Sequence, residues 1–285
     1  MLFFPKAKIN LGLRILRKRN DGYHELSTIM IPVGWTDILE VVPGKSRQHT
    51  LSIGGSNIPQ CRVDDNLVMK AVHALERHLG SELPPLDIYL EKIIPFGAGL
   101  GGGSSDASYT LIAVNELLAL GITPDALAEI ATSIGADCPF FIRNYYTGQP
   151  QLAEGIGERL NPVEIPGLEN LYIAIAKPES SAIPTKEAYA GVNPAELEKG
   201  ETLTACIAAE PETWQRSALI NDFERSIFPG HPEIQAIKEH FLNHGAIYSA
   251  MSGSGAAVFG LFRDNEAAQA SVDALDGCQT YTGRL

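Results

Sequence analysis

Between Pro95 and Asp106 the chain reads PFGAGLGGGSSD, with five glycines in the seven residues from 97 to 103, then Ser104, Ser105 and Asp106. Glycine costs roughly 0.5–1 kcal/mol relative to alanine wherever backbone order is required. Such density needs a return, in packing or in a ligand. The ligand it suits is an anion. Glycines let successive N–H groups turn inward, and a helix opening at the serines adds partial positive charge. The serine hydroxyls suit phosphate oxygens or a cation carried with them. The plainer alternative is a tight helix–sheet contact with Ser104 or Ser105 as a cap. Gly97-x-Gly99-x-x-Gly102 formally matches a dinucleotide fingerprint, but the residues before it are strand-rich, and no acidic residue ends a second strand at the expected distance. No Lys-Ser/Thr follows the last glycine, so the Walker pattern fails as well.

Other residues of chemical interest lie apart in the chain. Lys8 and Asn10 share the polar face of an alternating segment, about 7 Å apart along a strand, and Lys6 is on the same face. Asp137 stands in GADCPFF, just before Pro139, in a loop where it could simply cap the turn. Tyr23 and His24 follow an Asp21-Gly22 turn. Such rings suit stacking on and hydrogen-bonding a nucleobase, or merely packing a hairpin. Ser252-Gly253-Ser254-Gly255 offers close backbone approach to a ligand, or a tight hairpin.

These residues need elements to hold them. In residues 7–15, Ala7, Ile9, Leu11, Leu13 and Ile15 alternate with polar or small residues, which predicts a half-buried strand. Strand-like runs recur at Thr28–Val33, Asp37–Val42 and His49–Ile53. Residues 66–79 have helical spacing, and Leu86, Ile88 and Leu90 alternate into the glycine run. A helix follows that run and should stop at Gly121. Thr123-Pro124 starts another that should close at Gly135. GADCPFFI reads as a loop leading into a strand. Residues 171–176 read as a buried strand, 186–217 as acidic and helical, and 234–242 as a helix. Residues 248–262 read as strand, glycine loop, strand. A division near residue 160, where Pro162 and Pro166 flank a glycine-containing turn, gives segments 1–160 and 161–285.

Bulk composition narrows the function. The 285 residues are 45% hydrophobic and 20% charged, ordinary for a globular enzyme, with a net charge of −12. An acidic chain is a poor partner for nucleic acid, so an anion must be held locally, by amides and a few lysines. No window reaches ~18 apolar residues, so no membrane partner is expected. The cysteines at 61, 138, 206 and 278 are scattered, as expected of reduced thiols in a cytoplasmic protein.

PFGAGLGGGSSDA resembles the phosphate-binding signature of the GHMP kinases, the family of galactokinase and of homoserine, mevalonate and phosphomevalonate kinases. AKINLGL (7–13) and MSGSGAAVFGLF (251–262) resemble its other two motifs. NDGYHEL, DNLVMKA, GADCPFF, AEGIGE, KPESSAIPT and NDFE extend the likeness, in order, from about residue 4 to 262. The resemblance implies an α+β fold of two domains with the active site in the cleft between them. Residues 1–160 would bind ATP and 161–285 the substrate. It implies an ATP-dependent kinase with Mg²⁺ delivered with ATP. The acceptor would be a cytidine diphosphate-linked polyol, and the enzyme a monomer or homodimer. Asp137 would take the proton of the acceptor hydroxyl, with Lys8 polarising that hydroxyl or steadying Asp137 and the γ-phosphate. Pro95, Phe96, Gly97, Ala98, Gly99, Leu100, Gly101, Gly102, Gly103, Ser104 and Ser105 would hold the phosphates, and Asn66, Leu67 and Lys92 would frame the adenine. Asn10, Tyr23, His24, Thr185 and Tyr189 would meet the acceptor. Ser104 or Ser105 would touch Mg²⁺, with Glu154 a weaker candidate. The motif leaves two rivals open: a GHMP kinase acting on homoserine, a sugar or phosphomevalonate, and a nucleotide-binding module without catalysis.

Overall fold

The computed structural model describes residues 1–55, 63–192 and 201–285. Two strands open the chain, Leu2–Phe3 (β1) and Lys6–Lys18 (β2). β2 is not half-buried as its alternation predicts. Lys8, Asn10 and Arg14, on its polar face, are buried along with Ile9, Leu11 and Leu13. The polar face looks inward because each of those three side chains has a hydrogen-bonding partner in the interior, the condition on which polar groups are buried at tolerable cost. Next come His24–Thr36 (β3), Ile38–Pro43 (β4) and Thr50–Gly55 (β5). Helix α1 (Leu67–Leu79) is capped by Asn66, whose side-chain oxygen accepts from the Val68 N–H at 2.9 Å. Such a cap is worth about 0.5–2 kcal/mol. Gly80 ends α1 in the left-handed conformation.

Leu86–Lys92 (β6) leads to the glycine run, and α2 (Gly102–Leu117) leaves it. The cap of α2 is Gly101, at φ 72°, so Ser104, Ser105 and Asp106 lie inside the helix and cap nothing. α2 also stops short of Gly121. The Asn115 side chain donates to the carbonyl of Ile122 and accepts from its N–H, both at 3.0 Å, and so turns the chain back early. Helix α3 (Pro124–Thr132) starts at Thr123 as expected, though it ends before Gly135. GADCPFFI is corrected. It enters a helix, α4 (Cys138–Thr147), rather than a strand. Its aromatic residues look strand-like, but Pro139 in the first turn and left-handed Gly148 at the end are helix punctuation.

Gln151–Gly155 (β7), Arg159–Pro162 (β8) and Tyr172–Pro178 (β9) precede three short helices, Thr185–Ala190 (α5), Leu203–Ile207 (α6) and Glu224–Ile227 (α7). Part of the acidic stretch expected to be helical, 193–200, lies outside the described residues, as does Cys61. Pro232–Asn243 (α8), Tyr248–Met251 (β10), Val258–Phe262 (β11), Asn265–Asp273 (α9) and Cys278–Arg284 (β12) complete the chain. Cys138, Cys206 and Cys278 are free thiols.

By contact the chain forms two units. One comprises residues 1–7, 35–96 and 101–148, the other 8–34, 97–100 and 149–285. No single cut at residue 160 describes them, because β2, most of β3 and four residues of the glycine run pack with the C-terminal part. In the first unit a sheet of order β1-β4-β6-β5 is antiparallel except where β5 runs beside β6. Its core joins Leu39, Val41 and Ile88 of the sheet to Val72 and Leu75 of α1 and Leu111 and Val114 of α2. The second unit holds a sheet of order β10-β11-β9-β12 and one of order β2-β3-β7-β8. Ile234, Ile237 and Phe241 of α8 and Val272 of α9 share a core with Ala174, Val258 and Phe262 of the first of these sheets.

Candidate active site

Within the second unit, Lys8 is 3% exposed. Its ammonium donates to Asn10 Oδ1 at 2.5 Å and to the carbonyl of Gly99 at 2.8 Å. The N–H of Lys8 also donates to the Leu100 carbonyl at 2.9 Å. The strand lysine is thus fixed to the glycine run by backbone and side chain alike. Lys6 is exposed. Burial and partners therefore separate two lysines that spacing alone leaves on one face.

Gly97 and Gly99 both have positive φ, 62° and 72°. A Cβ on Gly99 would lie 2.0 Å from the carbonyl oxygen of Ser252. Two glycine-rich segments meet there. The Ser252 hydroxyl donates to the Gly99 carbonyl at 3.0 Å, and the Ala257 N–H to the Ala98 carbonyl at 3.1 Å. Asn221 supports the second segment from behind, its Nδ2 donating to the carbonyls of Met251 and Gly253 at 2.7 and 2.8 Å. Asp222 accepts from the Ile15 N–H of β2, and Glu224 from the Met251 N–H of β10. The NDFE stretch is thus a polar hub that the sequence offers only as a run of side chains able to bond backbone.

In the first unit α2 presents its opening turn. Helix geometry gives the first amides of α2 no intrahelical acceptor. Gly103 is exposed there, and a Cβ on it would meet only Leu67, at 3.5 Å. Ser104 hydrogen-bonds the Cys138 thiol. Ser108 Oγ lies 2.8 Å from the Ser104 carbonyl oxygen and 2.9 Å from that of Cys138, its one proton serving the two acceptors. The start of α4 is thereby pinned to the start of α2. Asp137 is the N-cap residue just before α4, and its side chain makes no capping bond there. Burial pushes the Cys138 thiol up to about 12, so it stays neutral. Ser105 Oγ is fully buried and has no partner. Among the described residues no cluster of three or more His, Cys, Asp or Glu could hold a metal.

Lys92 holds an ion cluster in the first unit. Its side chain is about nine-tenths buried, and the ammonium is bonded to Asp37 and, at 2.7 Å, to Asp106 of α2. Asp37 also accepts from the N–H groups of Ile93 and Ile94 at 2.6 and 2.8 Å. Burial opposes the charged amine, yet the two carboxylates hold its pKa above the ordinary value. Burial also pushes the Asp106 carboxyl up, against the pull of Lys92. The charge of Lys92 is committed to the interior, tying the exit of β6 to α2. Asn66 and Leu67 are half-buried at the start of α1, Pro95 is buried and Phe96 is exposed.

The predicted base-reading residues partly converge. His24 stacks on Tyr189 with ring centroids 5.0 Å apart, and Tyr189 sets its edge on Phe223 at 4.8 Å. Burial, then the charge of Lys18, hold the His24 imidazole below its ordinary 6.5. Thr185 and Ser254 approach to 3.5 Å through their hydroxyls. Tyr23 stands outside this stack, 61% exposed, with its N–H donating to Asp21 Oδ1.

Residues 66–144 match the family described as GHMP kinases N terminal domain, and residues 204–278 match GHMP kinases C terminal. The chain is 47% identical over 262 residues to the 4-diphosphocytidyl-2-C-methyl-D-erythritol kinase of Parabacteroides distasonis, covering 92% of both chains. With the enzyme of that name from Porphyromonas gingivalis it shares 46% identity over 264 residues and 93% of both. A crystal structure of 4-(cytidine 5'-diphospho)-2C-methyl-D-erythritol kinase superposes with a TM-score of 0.81 at 32% identity, covering 99% of this chain and 98% of the other. Homoserine kinase from Cytophaga hutchinsonii shares the fold, at 19% identity and a TM-score of 0.68, covering 99% of this chain and 95% of that one.

Proposed function

The chain belongs to the GHMP kinase family, and we propose that this ATP-dependent small-molecule kinase phosphorylates the 2-hydroxyl of 4-diphosphocytidyl-2-C-methyl-D-erythritol, releasing ADP and the 2-phosphate. The observation that carries the reading is Lys8, a buried lysine whose ammonium sits on the Gly99 carbonyl of the glycine run. The same bonds that tie β2 to the glycine run hold this ammonium in one place, and phosphoryl transfer depends on positioning and charge neutralisation of this kind.

In this reading the amides at the start of α2 receive the phosphates, and Gly103 keeps side-chain bulk away from them. Lys8 polarises the acceptor hydroxyl and steadies the γ-phosphate. Asp137 takes the hydroxyl proton. Transfer is direct in this reading, with Asp137 as the base and Lys8 as the cation and no phospho-enzyme step. The His24–Tyr189 pair receives the cytosine, with Thr185 beside it, and this favours a cytidine acceptor over homoserine, a sugar or phosphomevalonate. The divalent ion of the reaction is Mg²⁺, and the orphaned Ser105 hydroxyl fits as an uncharged oxygen for it, with the Ser104 hydroxyl adjacent in sequence. Bound with ATP, such an ion would supply neutralisation of phosphate charge at these hydroxyls. The enzyme works in the cytoplasm, binds no nucleic acid and is a monomer or homodimer.

ADP release measured with a panel of acceptors tests the substrate. Turnover with homoserine or phosphomevalonate but none with the cytidyl polyol would rule the reading out. Asp137→Asn tests the base: turnover should fall by at least about a hundredfold, with ATP affinity nearly unchanged. Wild-type protein that binds ATP and transfers phosphate to nothing would leave only a binding module.

A further inference from the structure

We infer that Thr28 is a positioning residue for Lys8, because its hydroxyl fixes which end of the Asn10 amide faces the lysine ammonium. The inference rests on the reading in which Lys8 acts on the reaction. Thr28 lies on β3, beside β2 in the sheet. Its Oγ1 is 2.6 Å from the carbonyl oxygen of Gly12. A carbonyl oxygen only accepts, so the hydroxyl proton of Thr28 is committed to Gly12. That leaves Oγ1 with lone pairs alone for its other neighbour, the Asn10 amide at 3.0 Å. An acceptor selects the NH₂ end of the amide. Asn10 Nδ2 therefore turns to Thr28, and Oδ1 turns to the Lys8 ammonium at 2.5 Å. Reversed, the amide would set a donor against the ammonium and push it from its place beside the Gly99 carbonyl.

The relay Gly12–Thr28–Asn10–Lys8 runs in one direction only, because its first member cannot donate. Burial makes it strict. Lys8, Asn10 and Thr28 are 3, 2 and 1% exposed, so water does not compete for these positions. Gly12 stands at φ 68°, and a Cβ there would press to 2.8 Å on Leu203, so this acceptor position admits only glycine. Nothing in the sequence marks Thr28, which reads as one more β-branched residue in a strand.

Thr28→Val keeps the shape and removes the hydroxyl. The expected result is a fall in kcat of roughly ten- to a hundredfold, the size of a buried hydrogen bond lost with its partners left unpaired. KM for ATP and for the cytidyl acceptor should change by less than about twofold. Thr28→Ser retains the hydroxyl and should recover most of the lost kcat, which a purely steric role for Thr28 would not give. A second measurement needs no variant. In the wild-type protein, nuclear Overhauser contacts from the Asn10 side-chain NH₂ should reach the Thr28 methyl group and not the Lys8 ε-methylene. Wild-type kcat in Thr28→Val, or contacts from that NH₂ to Lys8, would overturn the relay. Absence of phosphate transfer by the wild type would instead sink the functional reading, and the NMR contacts would still decide the orientation.

Discussion

Gly99 and Gly103 look alike in the sequence but serve different ends. Gly99 combines φ 72° with the Ser252 carbonyl 2.0 Å from where a Cβ would sit, so its glycine is a demand of the fold. Gly103 is helical, exposed and near only Leu67, so the fold does not require it. Gly99→Ala should therefore lose more than about 2 kcal/mol in urea denaturation, through clash and strained backbone. Gly103→Ala should hold or gain stability, by up to about 1 kcal/mol, while KM for ATP rises several-fold. A Gly103→Ala enzyme with unaltered KM for ATP would count against phosphates on the first turn of α2. His24 gives a pH test. Its folded pKa lies below the ordinary 6.5, so the folded protein holds the neutral ring and the unfolded chain takes up the proton first as pH falls. The stability it contributes is complete above pH 6.5 and is lost as pH falls through the lower, folded value. KM for the cytidyl acceptor should stay flat from pH 8 to about 6.5 and rise only below, with the wild-type slope absent in His24→Gln. The family's motifs made Lys8, Asp137 and His24 legible as candidates, where side-chain type and spacing were only compatible with the roles. Burial, which spacing does not carry, separated Lys8 from Lys6 and exposed the part played by Thr28.

At the scale of elements, the strands β3 to β6 and helices α1 and α3 were readable because period and punctuation agreed, as at Asn66 and Thr123. α4 was not, because Phe140, Phe141 and Ile142 have strand propensity while the decisive signals, Pro139 and Gly148, stand at the helix ends. The buried polar face of β2 was hidden for a different reason: its partners come from β3, the glycine run and residues 218–222. Lys92 forms a clamp between β6 and α2 that its strand-end position does not announce. Removing the lysine alone leaves two carboxylates buried without their counter-charge. Lys92→Met should cost about 3–5 kcal/mol, and the triple variant with Asp37→Asn and Asp106→Leu should recover part of that loss. Chemical denaturation of the two proteins checks this, and a Lys92→Met enzyme of normal stability would show the clamp to be dispensable.

At the scale of the whole molecule, the acidic composition and scattered cysteines only narrowed the class of protein, and the motif order carried the family. What composition and order could not convey is the interleaving of the two units, since their makeup depends on contacts between distant segments. Within the second unit, β2 is bordered by β3 on one side. On the other, Leu13 donates to the Ile220 carbonyl and accepts from the Asp222 N–H, at 2.9 and 2.8 Å. Those residues leave the ribosome roughly 200 positions after β2, a delay on the order of 10–40 s at ordinary translation speed. For that interval the Leu13 end of the strand has one bare margin, the kind of edge on which a growing chain can pair with another before it can pair with itself.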